Sequence, residues 1–108
     1  MAGLDGSILD RLYATIAARR GGDATTSYTA KLFAEGRQRI AQKFGEEAIE
    51  TVIAGVAGDA GLAGESADLL YHLLVLWADA GVPPQDIWAA LESRMGTSGI
   101  AEKNARQS

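Results

Sequence analysis

Five acids carry the chemistry that this sequence can offer. Glu46, Glu47 and Glu50 stand in GEEAIE, and Glu65 and Asp68 stand in ESAD. Residues three and four apart share a helix face, so Glu47 and Glu50 are neighbours, as are Glu46 and Glu50, and Glu65 and Asp68. Fourteen residues lie between Glu50 and Glu65. That is about two turns down one helix and two turns back along the next. Two helices joined by a short turn pack antiparallel, so ExxE and ExxD are expected at one height. Carboxylates facing each other in a partly dry cleft repel, and a cation relieves that repulsion. An all-oxygen surround suits magnesium or manganese. Such an ion can bridge phosphate oxygens and acidify a water, the chemistry of phosphoanhydride hydrolysis.

Cations stand near the acids in the sequence. Lys43 precedes Glu47 by one turn, and Lys31, Arg37 and Arg39 lie upstream. They can take phosphate charge. His72 follows Asp68 by one turn. It reads as a packed, hydrogen-bonded histidine, or as a partner that orients the Asp68 carboxylate. EExxE alone specifies little, because exposed helices are rich in glutamate. ExxD on an otherwise apolar helix specifies more, because an unpaired buried charge is costly. Solvated acids on a helical interaction module remain the competing reading.

The elements that must position these groups are helices. Ile8, Leu9, Leu12, Tyr13 and Ile16 form an apolar stripe over 7–20, with Ser7 as its expected cap and Asp10 in the capping-box slot. Residues 21–28, GGDATTSY, form a polar loop. The loop is a candidate binding element, with Tyr28 able to stack on a base; alternatively, Ser27 or Thr29 only caps a short helix over 30–35. A long helix is expected over 37–57, with Ile40, Phe44, Ala48 and Val52 in one strip and Ile49, Ile53 and Val56 beside it. Gly45 in mid-helix costs about 1 kcal/mol relative to alanine and suggests close packing or a nearby ligand. GDAG at 58–61 reads as a turn. The helix over 62–80 is apolar on nearly every side and must be buried all round, which a subunit interface makes easier. Pro83-Pro84 opens a last helix ending near Gly96. Trp77 and Trp88 read as core or interface residues.

Composition agrees. The 108 residues include 20 alanines, 13 glycines and 2 prolines. One all-α domain of four to five antiparallel helices is expected over 1–108, with a polar tail at 96–108. The net charge is −4. That excludes an ordinary basic nucleic-acid binder. Zero cysteines exclude disulfides, a cysteine metal site and a thiol nucleophile. The N-terminus lacks a signal-peptide pattern, and the most apolar run, Leu69–Ala78, is too short to span a membrane. A soluble cytoplasmic protein is expected.

Several strings together resemble one family. SYTAKL at 27–32, Gly36, QKFGEEAIE at 42–50 and ESADLLYHLLVL at 65–76 resemble the phosphoribosyl-ATP pyrophosphatases of histidine biosynthesis. These are relatives of the MazG-like all-α nucleotide pyrophosphohydrolases. The resemblance covers about residues 7–95, and SGIAEK in the tail also resembles the family's end. It implies hydrolysis of phosphoribosyl-ATP to phosphoribosyl-AMP and pyrophosphate. It implies magnesium held by Glu47, Glu50, Glu65 and Asp68, with Glu46 as a further metal-site or supporting carboxylate. Ser27, Tyr28, Thr29 and Lys31 match the loop that would shape the substrate pocket, and Lys43 would neutralise phosphate. A stand-alone homodimer is implied, each cleft drawing on both chains. A related enzyme for another nucleoside triphosphate stays open, since it would need the same acids.

Overall fold

The apolar periodicities become five helices: α1 Ser7–Ala18, α2 Tyr28–Glu35, α3 Arg37–Ala57, α4 Leu62–Ala80 and α5 Pro84–Met95. The computed structural model describes residues 3–58 and 60–96. Beyond Gly96, the expected polar tail lies outside the described residues, as does Asp59 in the expected turn. The described residues contain no strand, so the all-α expectation holds. No described helix is long and apolar enough to cross a membrane.

The helix ends differ from expectation in instructive places. Gly6, not Ser7, is the N-cap of α1, because the chain is already helical there. Ser7 itself donates to Asp5, from its backbone N–H at 2.9 Å and its hydroxyl at 2.5 Å. Asp10 closes no capping box; its carboxylate accepts from the Trp88 indole N–H at 3.2 Å. α2 starts two residues earlier than the short helix expected over 30–35. Ser27 caps it by accepting the Ala30 N–H at 3.1 Å. Gly36, at φ +95°, is the single residue between α2 and α3, a left-handed conformation that costs glycine little.

Helix α4 is the central element, packed against α3, α1 and α2. Its C-terminal half supplies Leu74, Val75 and Ala78 to a core shared with Ile16, Leu32 and Ile40. Each large aliphatic side chain buried there contributes about 1.5–3 kcal/mol. The same end is tied by ions. Arg37 donates to the Asp79 carboxylate at 2.5 Å and to its carbonyl at 3.1 Å. Arg20 donates to the Ala78 carbonyl at 3.0 Å and reaches Asp79 at 3.5 Å. Trp77 meets Trp88 edge-on at 6.1 Å, which docks α5.

The other end is open. Along α3, Ile40 is buried, but Ile49, Val52, Ile53 and Val56 are 63%, 63%, 62% and 86% exposed. The apolar strip of α3 therefore turns outward beyond Ala48, and Ala54 takes the inner position. Leu62 and Leu70 of α4 are also exposed, so α4 is not covered all round within one chain.

Gly45 has open space where a Cβ would stand, so packing within the chain does not demand it. Gly45→Ala should stabilise the protein by about 1 kcal/mol in denaturant unfolding. A destabilised Gly45→Ala would show that a second chain or a bound group crowds that point.

Candidate metal centre

The acids meet because the turn between α3 and α4 folds the two helices back on each other. Gly58 ends α3 in the left-handed conformation at φ +65°. Thr51 then pins the register. Its hydroxyl lies 2.8 Å from the Glu47 carbonyl on its own helix and 3.2 Å from the Glu65 carbonyl on α4. The main chains of two acid-bearing residues therefore converge on one hydroxyl.

Above that pin, Glu47, Glu65 and Asp68 each present a carboxylate oxygen, all within 4.8 Å of one another. One oxygen each of Glu47 and Glu65 is buried without a hydrogen-bond partner. Burying a carboxylate oxygen unpaired is costly, so a proton or a cation must satisfy it. Glu50 is exposed and acts on both glutamates. Burial first, and then Glu50, raises the Glu47 carboxyl above its ordinary value, while His72 partly offsets this. Burial first, and then the Glu50 charge, raises Glu65 in the same way. Such a group takes either protons or a cation. Three hard oxygens with two unsatisfied atoms fit a divalent ion of the magnesium type.

The fifth acid points elsewhere. Glu46 pairs with Lys43 at 3.1 Å and accepts from Gln42 at 3.4 Å. Lys43 lowers the Glu46 carboxyl, and Glu46, then Tyr28, raises the Lys43 ammonium. Lys43 is thus paired and charged, one turn before Glu47 on α3, at one border of the acid group.

The SYT loop closes the other border. Tyr28 lies 3.3 Å from His72 through its hydroxyl and Nε2. His72 is buried, and its Nδ1 donates to the Asp68 carbonyl at 2.8 Å. The imidazole therefore reaches Asp68 through the main chain and not through the carboxylate. The Thr29 and Tyr71 hydroxyls share a short hydrogen bond. Tyr71 stacks on Tyr28 at 6.3 Å and meets His72 edge-on at 5.0 Å. Burial raises the Tyr71 phenol above its ordinary value. Tyr71 and Thr51 were not singled out by the sequence. Each is an ordinary helix residue whose role depends on what the neighbouring helix brings to it.

One cation expected near the site is spent elsewhere. Arg37 is committed to Asp79, ten residues along α3 from Glu47, about 15 Å away. Lys31 is exposed on α2, and Ser27 spends its hydroxyl on the helix cap.

Fold and site together define an all-α protein with carboxylates of two helices converging on one point. The family model described as phosphoribosyl-ATP pyrophosphohydrolase matches residues 9–95. A phosphoribosyl-ATP pyrophosphatase of Azospirillum brasilense is 65% identical over 97% of this chain and 96% of its own length. One from Paramagnetospirillum magneticum is 63% identical over 94% of each chain. One from Rhodospirillum rubrum is 58% identical over 93% of this chain and 86% of its own. The chain belongs to the phosphoribosyl-ATP pyrophosphohydrolase family.

The raised carboxyls set the sign of the pH dependence. In the folded chain Glu47 and Glu65 keep their protons above the ordinary value of 4.5. Between the unfolded and folded values the folded state binds more protons, so stability falls as pH rises. The metal-free protein should therefore lose melting temperature as pH climbs from about 4.5 through the folded pKa values. Glu65→Gln, which removes one charge and gains a donor toward Glu47, should raise the melting temperature in chelator at neutral pH. A thermal scan showing Glu65→Gln unchanged or less stable would contradict the repulsion.

Proposed function

We propose that this chain hydrolyses phosphoribosyl-ATP to phosphoribosyl-AMP and pyrophosphate in the cytoplasm, the second step of histidine biosynthesis, with magnesium or manganese as cofactor. Family membership supports the substrate. The observation that carries the chemistry is the meeting of three carboxylate oxygens, two of the acids holding an unpartnered buried atom. Glu47, Glu65 and Asp68 would hold the ion, with Glu50 completing the set or standing free beside it. A bound divalent ion supplies a lowered pKa for a neighbouring water and draws charge from phosphate oxygens.

The reaction joins a water oxygen to the α-phosphorus and breaks the bond to the bridging oxygen, so pyrophosphate departs with that oxygen. The water loses one proton to a carboxylate of the cluster. Glu50 is the acid assigned to it, because it is open to solvent and acts on both Glu47 and Glu65. Lys43 sits where it can exchange Glu46 for a phosphate oxygen of the substrate. Tyr28 and Thr29, fastened to His72 and Tyr71, form the wall facing the nucleoside.

The same reading makes the chain a homodimer. Ile49, Val52, Ile53 and Val56 form an exposed apolar face on the helix that carries Glu47 and Glu50. Four such side chains on one face are more than a lone helix ordinarily leaves in water. A second copy covering them would close the cleft over the acids.

Purified protein should release pyrophosphate from phosphoribosyl-ATP only with magnesium or manganese present. Glu50→Gln should lower kcat about 10²- to 10⁴-fold with an unchanged circular-dichroism spectrum. Glu47→Gln and Asp68→Asn should abolish turnover and weaken metal binding. Faster release from a free nucleoside triphosphate would replace this substrate with that one. Unaltered metal affinity in both ligand variants would end the metal assignment.

A further inference from the structure

Polar side chains tie α3 to α4 at two levels, and the acids stand at or between them. At the far end from the turn, Arg37 of α3 holds Asp79 of α4. At the near end, the half-buried Thr51 hydroxyl lies 2.8 Å from the Glu47 carbonyl and 3.2 Å from the Glu65 carbonyl. Glu47 and Asp68 fall between the two ties, and Glu65 is part of the second. Closer still to the turn, the Leu62 side chain lies over Gly55, 3.8 Å from where a Cβ would stand. The Thr51 hydroxyl has one proton and both carbonyls only accept, so the hydrogen bond is three-centred. Both carbonyls lie inside helices and keep the N–H four residues on as a partner. The hydroxyl is therefore not needed to satisfy them. What it adds is a link between α3 and α4 where Glu47 and Glu65 leave their main chains.

We infer that Thr51 is a positioning residue that fits the acid cleft to a small divalent ion and against a larger one. Magnesium demands near-octahedral oxygens at about 2.0–2.1 Å, whereas calcium accepts flexible geometry at about 2.3–2.6 Å. Oxygens of Glu47, Glu65 and Asp68 already lie within 4.8 Å of one another, on two helices. The two ions differ by about 0.3–0.5 Å in bond length. Slack of that size between the helices costs magnesium its geometry and costs calcium little. Thr51 acts through Glu47 and Glu65, whose main chains it joins. The inference deepens the proposed function and rests on its metal assignment, not on its substrate.

Titration calorimetry of the metal-free full chain with magnesium, manganese or calcium tests it. Wild type should bind magnesium and manganese more tightly than calcium. Thr51→Val keeps the branched shape and removes the hydroxyl. It should weaken magnesium and manganese binding about ten- to a hundredfold and calcium binding less than about threefold, with its helical circular-dichroism spectrum retained. Thr51→Ala, a smaller side chain that also lacks the hydroxyl, should repeat that result. Thr51→Ser keeps the hydroxyl and should restore the preference for the smaller ions. An equal loss on all three ions, or no loss, shows that Thr51 only packs α3 against α4 and overturns the inference. Failure of both hydroxyl-free variants to fold, or a wild type without the preference, overturns it too. A wild type that binds the ions but is inert toward phosphoribosyl-ATP defeats the proposed substrate and leaves this inference to the calorimetry. A wild type that binds none of them overturns the inference and the metal assignment together.

Discussion

Like charges held together against their repulsion are the constraint on which the rest of this molecule depends. Three carboxylate oxygens from two helices stand within 4.8 Å of one another. Left to themselves, these side chains would turn to water, and one oxygen each of Glu47 and Glu65 has not done so. The backbone holds them there, through the turn at Gly58 and the Thr51 hydroxyl shared between the Glu47 and Glu65 carbonyls. The protein is therefore less stable without a partner for these acids than its packing alone would allow. Such tension between stability and function is common where a site is made ready before its ligand arrives.

The fold divides its labour along α4. Its C-terminal half lies in the core with Leu74, Val75 and Ala78, and Asp79 locks that end to Arg37 and Arg20. Its N-terminal half carries Glu65 and Asp68 and leaves Leu62 and Leu70 exposed. His72 sits at the border. It hands the order of the core to Asp68 through a main-chain hydrogen bond and to the SYT loop through Tyr28. The anchored half fixes where the acids stand, and the open half leaves apolar side chains uncovered.

Much of this was legible in the residues. Helical spacing and glycine stops place all five elements, and counting turns on either side of Glu50 and Glu65 brings the two acid motifs to one height. What stayed hidden depends on groups distant in sequence. Ser7 has the composition of a cap, but Asp5 makes Ser7 a donor instead. Arg37 has the charge of a phosphate ligand, but an aspartate 42 residues later takes it. Glu46 has the spacing of the cluster, but Lys43 on its own helix draws it aside. The apolar strip of α3 has the right period for a core, and period alone does not say whether the core belongs to one chain or two. Thr51 stands outside every quoted string and Tyr71 stands inside one without a role of its own, because a hydroxyl becomes structural only when another helix supplies its partner.

A crystal structure of the protein soaked with manganese, read by anomalous scattering, tests the central claim most directly. The account predicts an anomalous peak between α3 and α4, within coordination distance of oxygens from Glu47, Glu65 and Asp68. Acids splayed toward separate faces, or a peak bound elsewhere with this cleft empty, would contradict it.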